Sequence, residues 1–446
     1  MLKNDRKRFL LLLVIILVSL LVSFIPIKGL SIAGRRTLGI FVFAMFGWIT
    51  EVVPLYVVSM IVVALSALVL PPVVEGLKYS YFYRALSSST IVLFAGGFFL
   101  ASGMQKYKVD SILTNLVLSR TGTKPGSVLF GMMFTTAFLS MWMSNTATTA
   151  LMITVALPVI KYLSEDDPFR TGLILAIPFA ANIGGIATPI GTPPNAIALQ
   201  MLNAKGITIS FGRWMSWGLP FSLVLLLFAW FLLLQFFKPD AERIKLEIER
   251  VKITGRHVLV IVTFIVTATL WLLSSVLKIS SSLIAFIPPV VFLSTGILNR
   301  EDFKSIGWDV LILIGGGICL GMAMQKSGLS SWFLQVLHLK GASMIVIVLV
   351  FGLLTYIAAN FMSHTAATNL LVPIAIGAGG NIAPVVVYIA LMASVAMVLP
   401  VSTPPNAIAY SSGLIKTKDM ARVGVIIGVL GLILGLPILL LLQPGP

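Results

Sequence analysis

"MWMSNTATTA", residues 141–150, is the stretch whose reading decides the fold. From Ser144 to Ala150 it places five hydroxyl or amide side chains in seven positions, in the middle of long apolar runs. A second stretch, "NFMSHTAATN" at 360–369, repeats the pattern 219 residues later. No Lys, Arg, Asp or Glu lies between Pro125 and Ile160, or between Gly341 and Ser412. Something other than a charge must explain why polar groups recur there.

The surroundings of these stretches are those of a lipid-embedded chain. Of 446 residues, 58% are hydrophobic and 10% are charged, against roughly 25% charged in soluble proteins. Several apolar runs approach or exceed the roughly 20 residues a helix needs to cross a bilayer. The first, Phe9 to Ile27, follows "MLKNDRKR". It is long for a signal peptide and lacks a small-residue cleavage site, so it reads as a retained span. The net charge of +16 does not signal nucleic acid, because the basic residues sit in short loops between apolar runs and read as topology determinants. The single cysteine, Cys319, excludes a disulfide framework, and His257, His338 and His364 are too scattered to form a metal cluster.

The expected fold class is an all-α polytopic membrane protein. It has about 11 transmembrane helices, two re-entrant helical hairpins and two interrupted helices. Residues 1–36 form an extra N-terminal span, and 37–237 a first repeat with its hairpin at 127–160 and its interrupted helix at 172–202. A charged cytoplasmic linker, 238–256, reads as an amphipathic surface helix. The second repeat, 257–446, carries its hairpin at 343–376 and its interrupted helix at 383–413. With the N-terminus inside, cytoplasmic segments hold 21 of the 31 Lys and Arg and outer segments hold 10, as the positive-inside rule requires. The C-terminus then lies outside the plasma membrane.

Three blocks match between the halves in the same order. "VLFAGGFFLASGMQK" (92–106) pairs with "LILIGGGICLGMAMQK" (311–326), the polar tips pair with each other, and "IGTPPNAIA" (190–198) pairs with "VSTPPNAIA" (401–409). Each copy contributes five crossings. Five is odd, so the second copy is inverted relative to the first, an arrangement common in secondary transporters with a site at the midplane.

A helix that stops inside a membrane leaves about four backbone N–H groups unpaired. Ser, Thr and Asn cap such ends, and Pro suits the first helical turn, where an N–H is dispensable. Ser144-Asn145-Thr146, Ser363-His364-Thr365, Thr192-Pro193 and Thr403-Pro404 therefore read as four half-helix starts. Helix starts attract anions through free N–H donors and the dipole. Twin tips, with no fixed counter-charge, suit a ligand with two anionic ends such as a dicarboxylate. Neutral side-chain and loop oxygens offer a shell for a co-bound Na+. A single such cluster is ordinarily interhelical glue; four related by duplication, in breaks that are tolerated mainly where they line a cavity, argue for a site. The two glycine blocks, Gly96-Gly97 and Gly315-Gly316-Gly317, read as close helix packing, and Glu51 and Asp309 as interfacial.

At these residues the chain resembles the divalent anion/sodium symporter family of di- and tricarboxylate transporters, over nearly its whole length. The resemblance implies homodimers in which a transport part slides past a scaffold in an elevator motion. The substrates it implies are succinate, malate, fumarate, citrate or sulfate. It places Asn145, Thr146, Thr192, Pro193, Ser363, His364, Thr365, Thr403 and Pro404 at the substrate. It assigns a first Na+ to Ser140, Ser144, Asn145 and Gly191, and a second to the region of Ser402 and Ala359. The second half departs from the family pattern: Ala359 offers no side-chain oxygen, and His364 puts a nitrogen where the family has an Asn. The leading expectation is Na+-coupled dicarboxylate symport. Na+-independent exchange, or carriage of sulfate or another divalent anion, follow from the same residues. An ion channel would need an open polar path. A membrane enzyme lacks its signature here, since the sequence has no HExxH and no nucleophile–base motif. The implied partners are a small anionic substrate, membrane lipid and a second copy of the chain, with no nucleic acid.

Overall fold

A computed structural model describes residues 2–244, 252–339, 341–379 and 381–438. The described residues are helical and contain no strand, and nine helices are long and apolar enough to cross a membrane. Residues 245–251 of the linker lie outside the described residues. Its described part, up to residue 244, is not helical, and the next helix begins at Gly255.

The polar stretches are helix boundaries. Pro125–Ser140 and Asn145–Lys161 form one helical pair, joined at 141–144. Met344–Phe361 and His364–Ala375 form the other, joined at Met362 and Ser363. Ser144 Oγ accepts from Ala147 N at 3.2 Å, and Ser363 Oγ accepts from Ala366 N at 3.2 Å. Each is an N-cap of the kind that stabilises a helix by about 1 kcal/mol. The two broken helices are Phe169–Ile186 with Pro193–Asn203, and Ala383–Ser394 with Pro404–Ser411.

What holds the breaks open is the Asn of each Thr-Pro-Pro-Asn motif. Asn195 Nδ2 faces the carbonyls of Gly185 at 3.1 Å and Thr188 at 2.8 Å. Asn406 Nδ2 faces those of Met397 at 3.2 Å and Leu399 at 3.1 Å. Both amides are fully buried. They satisfy carbonyls that the interrupted helices would otherwise leave orphaned in an apolar setting. Trp214 Nε1 takes the Ile186 carbonyl at 3.0 Å in the same way.

Contacts sort the turns into two ends. At one end Lys106 pairs with Asp302, Ile244 N bonds Thr123 O at 2.7 Å, and Thr171 Oγ1 bonds Leu414 O at 3.1 Å. At the other, Trp332 Nε1 bonds Lys28 O at 3.3 Å and Arg36 Nη1 bonds Val69 O at 2.7 Å. The open base of the first helical pair lies at the first end. That of the second lies at the other, where Gly377 packs against Ser330. The glycine blocks do pack closely: a Cβ at Gly96 would overlap Ala285, and one at Gly316 would overlap Ser59.

Two expected boundaries shift. The second helix begins at Ile32, capped by Ser31, rather than at 37, because the long Arg36 side chain reaches back to a carbonyl instead of marking a loop. The apolar run 281–298, one of the eleven crossings the sequence predicts, is two helices, Ser281–Ile284 and Ile287–Ser294. Pro288 and Pro289 carry no N–H and restart the helix there.

Candidate functional site

Four helix starts meet at one cavity of about 410 Å³. Ser144, Asn145 and Thr146 line it from the first pair, and Ser363, His364 and Thr365 from the second. Gly191, Thr192 and Pro193 line it from one broken helix, and Ser402, Thr403 and Pro404 from the other. Twelve of the fourteen residues singled out from the sequence thus share one wall. Ser140 lies behind Asn145, and Ala359 is buried away from the cavity.

The wall carries no Lys or Arg, and its one charged residue is Asp309. Each helix start presents roughly half a positive charge, so four together present about two. Thr403 Oγ1 caps its own helix, accepting from Asn406 N at 3.1 Å. Thr192 makes no such cap, contrary to the expectation for that position; Asn195 N bonds the Thr192 carbonyl instead, at 3.1 Å.

Behind Asn145 the oxygens crowd. The Asn145 side-chain amide lies 2.5 Å from the Ser140 hydroxyl and 3.2 Å from each of the Ala181 and Gly191 carbonyls, and turned to donate its N–H it satisfies all three. The Ser140 hydroxyl also points to Ala181 O, at 2.8 Å. Turned the other way, the amide presents Oδ1 and leaves four oxygens with one hydroxyl proton among them, an arrangement that a cation between them would stabilise. An all-oxygen, uncharged donor set drawn partly from a helix break fits Na+. Three of the expected ligands are in it, Ser140, Asn145 and Gly191. Ser144 Oγ caps its helix, and the Ala181 carbonyl lies with the set.

The corresponding place in the second half is built differently. His364 Nε2 lies 2.7 Å from the Ala396 carbonyl. A carbonyl only accepts, so Nε2 carries the hydrogen and donates it. Asn360 Oδ1 accepts from Val398 N at 2.8 Å. Ser402 Oγ donates to Leu399 O at 2.7 Å. Ala359 adds no oxygen from its side chain. His364 and Ser402 hold loop carbonyls as donors and Asn360 holds a loop N–H as an acceptor, and no oxygen cluster forms among these residues.

Several cavity residues escaped the sequence reading. Asn182 donates to Thr403 Oγ1 at 3.3 Å and to Asn406 Oδ1 at 3.1 Å, tying the first broken helix to the second, and its buried Oδ1 has no partner among the described residues. A lone amide inside an apolar helix was the available signal. Pro54, Tyr56 and Asp309 form an exposed mouth at the end of the bundle that holds the Lys106–Asp302 pair. Phe94 and Phe98 form an aromatic side wall. Their residue types did not distinguish them from span ends and core.

Sequence comparison matches residues 6–442 to a family described as the sodium:sulfate symporter transmembrane region. A sodium-dependent dicarboxylate transporter, SdcS, of Staphylococcus saprophyticus is 32% identical over 459 residues, covering 93% of this chain and 87% of that protein. SdcS of Staphylococcus aureus is 32% identical over 421 residues, covering 84% and 80%. The inorganic phosphate transporter PHO87 of Saccharomyces cerevisiae is 31% identical over 385 residues, covering 82% of this chain but 42% of that longer protein. Among solved structures, that of Neisseria gonorrhoeae MtrF, described as illuminating a class of antimetabolite efflux pumps, shares the fold at a TM-score of 0.50 and 13% identity, covering 88% and 94%.

Proposed function

We infer what this chain does from one premise: it belongs to the sodium:sulfate symporter family of multi-pass membrane transporters. We propose that it is a secondary carrier of C4-type dicarboxylates such as succinate, malate and fumarate across the plasma membrane, and not an enzyme. The observation that carries this reading is the convergence of four helix starts on a cavity without Lys or Arg. Their summed partial charge of about +2 balances a dianion, and their hydroxyls and amides orient it. Asn145 and Thr146 hold one carboxylate, Ser363, His364 and Thr365 hold the other, and the Thr192-Pro193 and Thr403-Pro404 starts close around both. Two of the relatives are named as sodium-dependent dicarboxylate transporters, which supports the substrate class and the coupling ion. A phosphate transporter among the relatives keeps tetrahedral dianions as the alternative substrate.

In this reading Ser140, Asn145, Gly191 and the Ala181 carbonyl hold Na+. When bound, that ion supplies fixed positive charge beside the substrate. His364 fills the second position, so one Na+ site is formed per protomer, and the Ser402–Ala359 region binds none. The same residue favours the second reading, sodium-independent exchange, in which His364 and the helix starts suffice. The architecture follows: eleven crossings, two hairpins re-entrant from opposite faces, inverted repeats at 37–237 and 257–446, a cytoplasmic N-terminus and an outer C-terminus. The cavity mouth at Pro54 and Asp309 then faces the cytoplasm. A homodimer in which the hairpins and broken helices move as an elevator completes the proposal.

The test is uptake of labelled succinate into proteoliposomes under three conditions: an inward Na+ gradient, no gradient, and internal dicarboxylate. Accumulation driven by Na+ establishes symport. Uptake only against internal substrate establishes exchange. No uptake of any dianion under any condition overturns the reading.

A further inference from the structure

A second cavity, of about 830 Å³, opens at the end of the bundle opposite the central mouth. Ten Ser or Thr residues line it, together with Asn203, Arg213 and Lys278, and no carboxylate does. Its chemistry thus differs from that of the central cavity, which has about half the volume and no cationic side chain.

The two cavities are separated by very little. Leu93 lines the outer one, while the next residue, Phe94, lines the central one. Pro189 lines the outer one, while Ile190 lines the central one. In two places, then, consecutive residues face opposite chambers, and one of those places is the helix break that carries Gly191 and Thr192. The outer wall is also joined to the first hairpin. Phe211, in the outer wall, stacks on Trp271 with ring centroids 5.1 Å apart and on Trp142 at 6.2 Å. Trp142 belongs to the turn that ends at Ser144.

Charge distribution favours anions at this face. Among the described residues, the segments at this end carry nine Lys and Arg but a single carboxylate, Glu75, whereas the other end mixes both signs. A cleft lined by one sign of charge concentrates the opposite ion and speeds its arrival. Lys278 has φ 54° because it is the left-handed C-cap of the short helix Ser274–Leu277, with Ile279 N bonded to Ser274 O at 3.0 Å.

We propose that this outer cavity is a capture site, in which a small multivalent oxyanion binds between Arg213 and Lys278 and the surrounding hydroxyls before it reaches the central cavity. The proposal rests on the dianion-carrier reading for the identity of the anion. An anionic lipid headgroup offers the same oxyanion chemistry, and the experiment separates the two sources.

Cys319 is the single cysteine and is buried, so Ser275→Cys provides one accessible thiol in the outer wall. The full-length variant in liposomes is treated from outside with anionic sulfonatoethyl or cationic trimethylammonium-ethyl methanethiosulfonate, with rates normalised to a free thiol. The anionic reagent is expected to react about tenfold faster than the cationic one. External succinate or sulfate should slow both. Arg213→Gln with Lys278→Gln should equalise the two rates and remove the protection, while Asn145→Ala, which disables the central cavity, should leave the protection intact. Repeating the comparison at Ser282→Cys covers a failure of the first variant to fold. Equal rates without protection overturn the capture site, as does protection that vanishes with Asn145→Ala. Rates that follow the anionic lipid content and ignore succinate assign the cavity to headgroups and overturn it too. Protection without transport of any dianion would leave the capture site standing and remove the carrier reading. Transport without protection would do the reverse.

Discussion

Gly185→Ala tests the oxygen cluster without deleting any of its members. A Cβ added at Gly185 would lie 2.6 Å from Asn145 Oδ1, 3.0 Å from Asn145 Nδ2 and 3.0 Å from the Gly191 carbonyl. Carbon does not approach oxygen to 2.6 Å, so the short Asn145 side chain must turn out of the cluster or the break must shift. Loss of one oxygen partner to a charged group costs about 1.5–3 kcal/mol, which corresponds to a roughly 10- to 150-fold change in affinity. Overpacking itself takes about 1–3 kcal/mol from folding stability. The assay is the half-saturating Na+ concentration for succinate uptake in proteoliposomes, alongside the thermal stabilisation of the purified protein by Na+. The half-saturating concentration should rise at least about tenfold, and the Na+-dependent stabilisation should shrink with it. In an Asn145→Ala background the same substitution should add little, because the two changes act through one side chain. A folded Gly185→Ala protein whose Na+ dependence stays within about twofold of the parent would refute the reasoning, a change of only about 0.4 kcal/mol.

Three further outcomes follow from the same geometry. His364→Asn frees the Ala396 carbonyl and restores an amide oxygen beside it; uptake should become more steeply dependent on Na+, and an unchanged dependence would show that the histidine does not stand in for an ion. Asn406→Ala leaves the Met397 and Leu399 carbonyls buried without their donor, at about 1–3 kcal/mol for each unsatisfied group; a melting temperature in detergent equal to the parent's would contradict this role for the motif. Asp309→Asn removes the one carboxylate lining the central cavity. Apparent succinate affinity measured from the Asp309 side should increase severalfold at low ionic strength and less at high salt, and salt-independent behaviour would argue against a direct charge effect.

The sequence made the helix starts legible because their signal is local. A run such as Ser144-Asn145-Thr146 without neighbouring charge has few physical uses inside an apolar segment, and Thr-Pro-Pro announces a first helical turn in the chain itself. The matched sequence blocks made the correspondence of the two Thr-Pro-Pro-Asn motifs legible as well. The roles of other residues depended on distant contacts. The Asn in Thr-Pro-Pro-Asn carries no separate signal in the sequence, yet its amide reaches back seven to ten residues to carbonyls of the preceding break. Asn182 matters through residues 221 and 224 positions away. Ser144 Oγ caps its own helix, and the Ala181 carbonyl, which nothing in the sequence singled out, lies beside Ser140 and Asn145. Arg36 looked like a loop marker because composition does not show how far a guanidinium stem extends.

The most direct measurement is an experimental map of the protein at saturating succinate and Na+. The account predicts a dianion in the central cavity, within hydrogen-bonding distance of Asn145 and Thr146 at one end and of Thr365 at the other, with an ion among Ser140, Asn145 and Gly191. A succinate density elsewhere, with the four helix starts facing only water, would contradict it.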